Sequence, residues 1–163
     1  MPKMSDNYQP MKIHPNSKLL MIGDSITDSG RAYPVAEAHG EALGTGYVGL
    51  INAWLTATAP QARIRIVNMG VSGNTVRDLA ARWDSDVLAL TPDWLSIMIG
   101  INDVWRQFDP WPHAEAHVGL EEYTQTLENL IQTTRPQLKG LVLMTPYFIE
   151  PNRSDPMRTR MDE

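Results

Sequence analysis

Three short stretches rich in Gly, Ser, Asn and Asp each follow an apolar run. Gly23-Asp24-Ser25 follows Leu19–Ile22. Asn68-Met69-Gly70-Val71-Ser72-Gly73-Asn74 follows Ile64–Val67, and Gly100-Ile101-Asn102-Asp103 follows the run ending at Ile99. Any one of them reads as an ordinary turn, because these residue types favour turns. Three at equivalent places make a chemical set. A serine just past a buried strand offers its hydroxyl to a cleft. Gly73 in a tight turn presents its N–H with no Cβ in the way. The Asn102 amide is a second donor and the Ser25 N–H a third. Such donors around a serine Oγ form an oxyanion hole, which points to acyl transfer by a serine nucleophile. The nucleophile also needs a base. The histidines are His14, His39, His113 and His117. His39 lies in the segment after the first run, and His113 and His117 lie after the third, but nothing in the sequence orients them. His113 and His117 with Glu115 also resemble a metal pair on a helical turn, with no third ligand evident.

The elements that would position these residues follow from periodicity. The runs Leu19–Ile22, Ile64–Val67, Leu95–Ile99 and Leu141–Met144 are nearly continuous, as strands covered on both faces are. Between them lie helical patterns. Tyr47–Thr58 carries Val48, Ile51 and Leu55, with Trp54 beside them. Thr75–Leu90 carries Val76, Leu79, Trp83 and Val87, and Thr75 with Asp78 resembles a capping box. Leu120–Thr134 carries Tyr123, Leu127, Leu130 and Ile131. Pro60, Pro92 and Pro136 follow these helices as stop signals. The order βαβαβαβ predicts an α/β fold, a doubly wound parallel sheet with right-handed crossovers and ligands at the carboxyl ends of its strands. Trp54 and Trp83 are expected in the core. Trp105 and Trp111, after the third strand, either stack on a sugar ring or fill the gap under their loop. Arg77 opposes the dipole of its helix, which calls for a carboxylate partner, Asp103 or Asp24.

The bulk numbers narrow the function class. The chain has 163 residues, 42% hydrophobic and 20% charged, and carries a net charge of −5. That suits one soluble domain and argues against nucleic-acid or anionic-membrane partners, which favour a basic face. Cysteine is absent, which excludes disulfides and thiolate chemistry. Residues 1–17 read as a flexible polar lead-in without an apolar leader, and 18–163 as the domain; a cytoplasmic location is expected. Asp155-Pro156 starts a helix that reaches the last residue, Glu163, after barely two turns. The domain therefore reads as C-terminally incomplete, stopping before a last strand.

GDSITD, GVSGNTVRDL and GINDVW resemble blocks I, II and III of the SGNH (GDSL) hydrolases. LGTGYV, NTVRDLAARW, IMIGINDVWRQ and LMTPYFIE are similar to the intracellular acetyl-xylooligosaccharide esterase subgroup. The resemblance runs from about Lys18 to the end of the chain. It implies a flavodoxin-like sheet and a serine esterase acting on short-chain, chiefly acetyl, esters of carbohydrate. Ser25 would be the nucleophile. Gly73, Asn102 and the Ser25 N–H would form the oxyanion hole. Asp24 would help set the turn, and Asp103 would anchor the loop beside Asn102. No metal or organic cofactor is needed, the ligand is a small-molecule or oligosaccharide ester, and the resemblance implies self-association into a homo-oligomer. The sequence departs from the family in one respect: the Asp-x-x-His block that supplies the base and its orienting carboxylate does not occur. Lysophospholipase or thioesterase activity, a non-catalytic fragment or binding module, and an Asp–His pair donated by a partner chain are the competing readings.

Overall fold

The computed structural model describes residues 11–37, 40–109 and 117–163. Its four strands are β1 (Lys18–Gly23), β2 (Arg65–Gly70), β3 (Trp94–Met98) and β4 (Gly140–Met144), all parallel, in the order β2-β1-β3-β4. The helices are α1 (Ser25–Asp28), α2 (Tyr47–Thr58), α3 (Val76–Ala81), α4 (Ile101–Phe108), α5 (Leu120–Thr134) and α6 (Pro156–Asp162). From β1 the chain moves to β2 on one side, then crosses to β3 on the other. That reversal leaves a crevice beyond the carboxyl ends of β1 and β3, the usual ligand position of such sheets. The register places Gly23 opposite both Gly70 and Met98, so the three strands end level and release their loops onto one rim.

Strand periodicity sorts the apolar residues onto two faces. Leu20, Ile22, Val67, Met69, Leu95 and Ile97 pack with Leu79, Trp83 and Val87, and the apolar side of α5 closes over them. Leu19, Met21 and Ile66 face the other way and pack with Leu43, Val48 and Leu55. This double cover explains why the runs are continuous rather than alternating. At β4 the cover gives out, and Val142 and Leu143, on opposite faces, are both exposed.

Four expectations are corrected. Trp54, expected in the core, is 55% exposed. Val48 and Leu55 hold the inner face of α2, and a step of about 100° from Leu55 turns Trp54 away from the sheet. The stripe at Thr75–Leu90 is not one helix. The predicted capping box forms at Thr75 and Asp78, but α3 ends at Ala81 and Arg82 leaves helical geometry with φ −113° and ψ 8°. A wide turn over Asp84–Leu88 follows, and it re-phases the chain so that Trp83 and Val87 still reach the core. The Trp83 Nε1–H donates to Thr134 Oγ1 at 2.8 Å, which anchors this segment to α5. Residues 11–17 of the expected lead-in are docked: Met11 and Ile13 pack on the second cluster, and Asn16 N–H donates to Ala62 O at 2.7 Å. β2 also runs three residues past its apolar run, taking in Asn68, Met69 and Gly70.

Candidate active site

β1 ends in Gly23, and Asp24 then turns the chain into α1. Asp24 is buried, and its carboxylate accepts the Ile26 N–H at 3.0 Å while its carbonyl accepts those of Thr27 and Asp28. Of the first four N–H groups of α1, Asp24 thus takes three and leaves that of Ser25. Ser25 itself is exposed on the rim. Desolvation pushes the Asp24 carboxyl above the usual carboxylate range, against the lowering effect of the Ile26 bond. The short α1 lies so close to β2 that a Cβ on Gly70 would meet Asp28 N at 2.1 Å; only glycine permits this packing.

The loop after β2 is a turn in which Asn74 N–H donates to Val71 O at 3.2 Å and Gly73 has φ +82°. The positive φ is what requires glycine, since a Cβ there would meet nothing closer than Arg106 Nη2 at 3.8 Å. The turn is tied down on several sides. Val71 N–H donates to Gly23 O at 3.0 Å. The Ser72 N–H and hydroxyl both donate to Asp28 Oδ2, at 3.1 and 2.7 Å. Arg106 donates to Gly73 O at 2.6 Å. Burial opposes ionisation of Asp28, but the donors from Ser72 and Tyr33 outweigh it and hold the carboxyl below its ordinary range.

The loop after β3 opens α4. Asn102 is buried and donates one amide hydrogen to Asn74 O at 2.9 Å, leaving the other available. Asp103 is 2% exposed; its Oδ1 accepts the Val76 N–H at 2.9 Å, while Oδ2 has no partner among the described residues. Desolvation raises its pKa to about 6, more than the Val76 bond lowers it. Burial likewise raises the Tyr123 hydroxyl to about 12, and that hydroxyl donates to Ile99 O.

Ser25, Gly73 and Asn102 therefore fall on one rim, with hydrogen bonds linking their loops to one another. Arg77 has a carboxylate partner, but it is neither Asp103 nor Asp24. Arg77 pairs with Glu122 at the start of α5 and donates to His117 O at 3.0 Å. Glu122 is the residue that α5 brings over α3. Trp105 stands on α4 and is 58% exposed. Trp111, His113 and Glu115 lie outside the described residues, as does His39. His117 Nε2 is enclosed and has no hydrogen-bond partner among the described residues.

Three positioning side chains were not singled out from sequence. Asp28 holds Ser72, as above. Asn68, fully buried, donates to Thr27 O and Leu43 O at 2.7 and 2.9 Å and accepts the Gly70 N–H. Arg82 reaches the ends of both β1 and β2. Asn68 carried a readable signal, because a polar residue continuing a buried strand must find partners. Arg82 carried none beyond its place beside an apolar stripe.

The model of the GDSL-like Lipase/Acylhydrolase family matches residues 21–163. An acetylxylan esterase of Geobacillus stearothermophilus is 58% identical over 153 residues, which are 94% of this chain and 70% of that protein. Its crystal structure superposes with a TM-score of 0.91, covering 93% of this chain and 69% of that one. Solved structures of that enzyme include catalytic mutants in which a serine, an aspartate or a histidine is replaced by alanine. An alpha/beta hydrolase enzyme from the metagenome of Lake Arreo, Spain, is 57% identical with a TM-score of 0.90, over 93% of this chain and 70% of that one.

Proposed function

The chain belongs to the GDSL-like lipase/acylhydrolase family, and on that premise we propose that it removes acetyl groups from carbohydrate, xylo-oligosaccharides foremost, with Ser25 as the attacking residue. Ser25 Oγ bonds to the ester carbonyl carbon. The carbonyl oxygen takes the negative charge and is received by the Ser25 N–H, the Gly73 N–H and the Asn102 amide hydrogen that Asn74 leaves available. The sugar hydroxyl departs with a proton, and water then releases acetate from the acyl-serine. Asp24 shapes the turn that presents Ser25, and Asp103 anchors α3 to the Asn102 loop. The exposed indole of Trp105, on the same rim, offers a flat apolar face to a pyranose ring. The serine proton passes to the histidine of an Asp–His pair, the pair whose Asp-x-x-His pattern these 163 residues do not contain. What carries the reading is the bond from Asn102 to Asn74, which joins the second and third loops at the crevice where β1 delivers Ser25.

The test is release of nitrophenol from 4-nitrophenyl acetate and 4-nitrophenyl octanoate by the chain and by Ser25→Ala. With a segment bearing the Asp–His pair supplied, acetate hydrolysis that disappears in Ser25→Ala and falls steeply toward octanoate is the expected result; the same result from the chain alone would place a base within these residues. Equal rates in the two proteins without that segment would mean that no base lies within these residues. Addition of a segment bearing the Asp–His pair should then restore the difference. Hydrolysis at equal rates in the two proteins with that segment present refutes the nucleophile, and a preference for octanoate favours a lipase-like relative of the proposed activity.

A further inference from the structure

Arg82 sits where α3 stops. Its own N–H makes only short-range bonds, to Ala80 O and Leu79 O, and the chain turns away into the wide turn that follows. The guanidinium is mostly enclosed, with 16% of the side chain exposed. Its Nε donates to Asn74 Oδ1 at 2.7 Å. Nη1 donates to Met69 O at 2.8 Å and to Asp86 Oδ2 at 2.6 Å, and Nη2 donates to Gly23 O at 3.1 Å. An ion pair that served stability alone would need only Asp86. The other three acceptors lie at the ends of β1 and β2 and in the turn after β2, which carry the site. Gly23 is two residues before Ser25. Met69 sits near the end of β2, just before the glycine turn. Asn74 directly follows Gly73, and its carbonyl receives Asn102. One planar fork thus holds the nucleophile loop and the Gly73 loop, and through Asn74 it reaches the third donor. Only Arg can do this, because Lys offers one point of charge in place of a rigid fork.

We infer that Arg82 is a positioning residue for acyl transfer, setting the spacing between Ser25 and the Gly73 and Asn102 donors. The inference rests on the reading of Ser25, Gly73 and Asn102 given above. Arg82 touches neither substrate nor the reacting atoms. Asp86 neutralises it, and the strand-end carbonyls fix its plane.

The experiment uses the full chain, isotope-labelled, as wild type, Arg82→Gln, Arg82→Lys and Asp86→Asn. The backbone amide resonances of Ser25 and Gly73 and the side-chain amide of Asn102 are followed beside the melting temperature. Arg82→Gln is expected to move all three signals, and Arg82→Lys to move them less. Asp86→Asn, which removes the ion pair but leaves the bonds to carbonyls, is expected to lower the melting temperature with the three signals in place. Ser25-dependent acetate hydrolysis, measured with a segment bearing the Asp–His pair, supplies the second readout. There kcat should fall about 10- to 100-fold in Arg82→Gln with KM within about twofold, and recover in part in Arg82→Lys, as small misplacements of reacting groups do. If Arg82→Gln unfolds, Arg82→Lys decides. Unmoved signals in the folded Arg82 variants, or equal movement in Asp86→Asn, overturn the inference and leave Arg82 a structural ion pair. Absence of Ser25-dependent hydrolysis in the wild type with the segment bearing the Asp–His pair present would count against the proposed function instead, while the resonances would still decide what Arg82 holds.

Discussion

Replacing Asp103 with asparagine should change the pH dependence of stability in a direction that the structure dictates. The carboxyl is almost wholly enclosed, one oxygen is spent on the Val76 N–H, and the other has no partner among the described residues. Desolvation therefore raises its pKa from 3.8 to about 6 in the folded chain. Between these values the folded chain keeps a proton that the unfolded chain has lost. Stability must then fall as pH rises through that window, by at most about 1.4 kcal/mol per pH unit and on the order of 3 kcal/mol in all. Below the window both states are protonated and the contribution vanishes. Above it the folded chain bears the whole cost of an enclosed charge. The asparagine side chain of the variant would keep an oxygen for the Val76 N–H and would not titrate. Urea unfolding of wild type and Asp103→Asn from pH 4 to pH 8 isolates the effect, because Asp24 and the other carboxylates contribute alike to both proteins. The wild type should lose stability relative to the variant as pH rises from 4 to 7. A difference that stays flat, or that grows in favour of the wild type, refutes the reasoning and would mean that Oδ2 is solvated or paired in solution.

Two further substitutions test how the loops are held. Asn68→Ala strips the partners from Thr27 O, Leu43 O and the Gly70 N–H at once; at about 1 to 3 kcal/mol for each buried group left unsatisfied, it should cost several kcal/mol, and a loss below about 1 kcal/mol in denaturant unfolding would contradict the network. Gly73→Ala forces φ +82° on a residue with a Cβ that otherwise meets open space, so about 1 to 2 kcal/mol of strain is expected, together with loss of any Ser25-dependent hydrolysis; unchanged stability and rate would show that the turn relaxes freely.

The parts of this molecule legible in its sequence are those that depend on a local pattern. The strands announced themselves through continuous apolar runs, because a sheet covered on both faces has no polar side to alternate with. The capping box was legible because Thr75 and Asp78 stand three residues apart, and α2 and α5 because their stripes are unbroken. The alternation of strands and helices was enough to predict a doubly wound sheet, and with it the rim where Ser25, Gly73 and Asn102 gather. What stayed hidden depends on pairs distant in the chain. Arg77 signalled that it needed a carboxylate, but helix packing, not sequence distance, selects Glu122 over the nearer Asp103. Trp54 stands one position from a buried residue, and one position on a helix is enough to turn it outward. The stripe around Arg82 kept its spacing across a break, since a wide turn restored the phase that the break had lost. That break has a chemical counterpart. A helix continued through Arg82 would have kept the backbone regular, whereas the observed one gives up a turn and leaves a guanidinium among the carbonyls of Gly23 and Met69. Periodicity reports what the core requires. It is silent on side chains that face the ends of strands, where the loops that do the chemistry are joined.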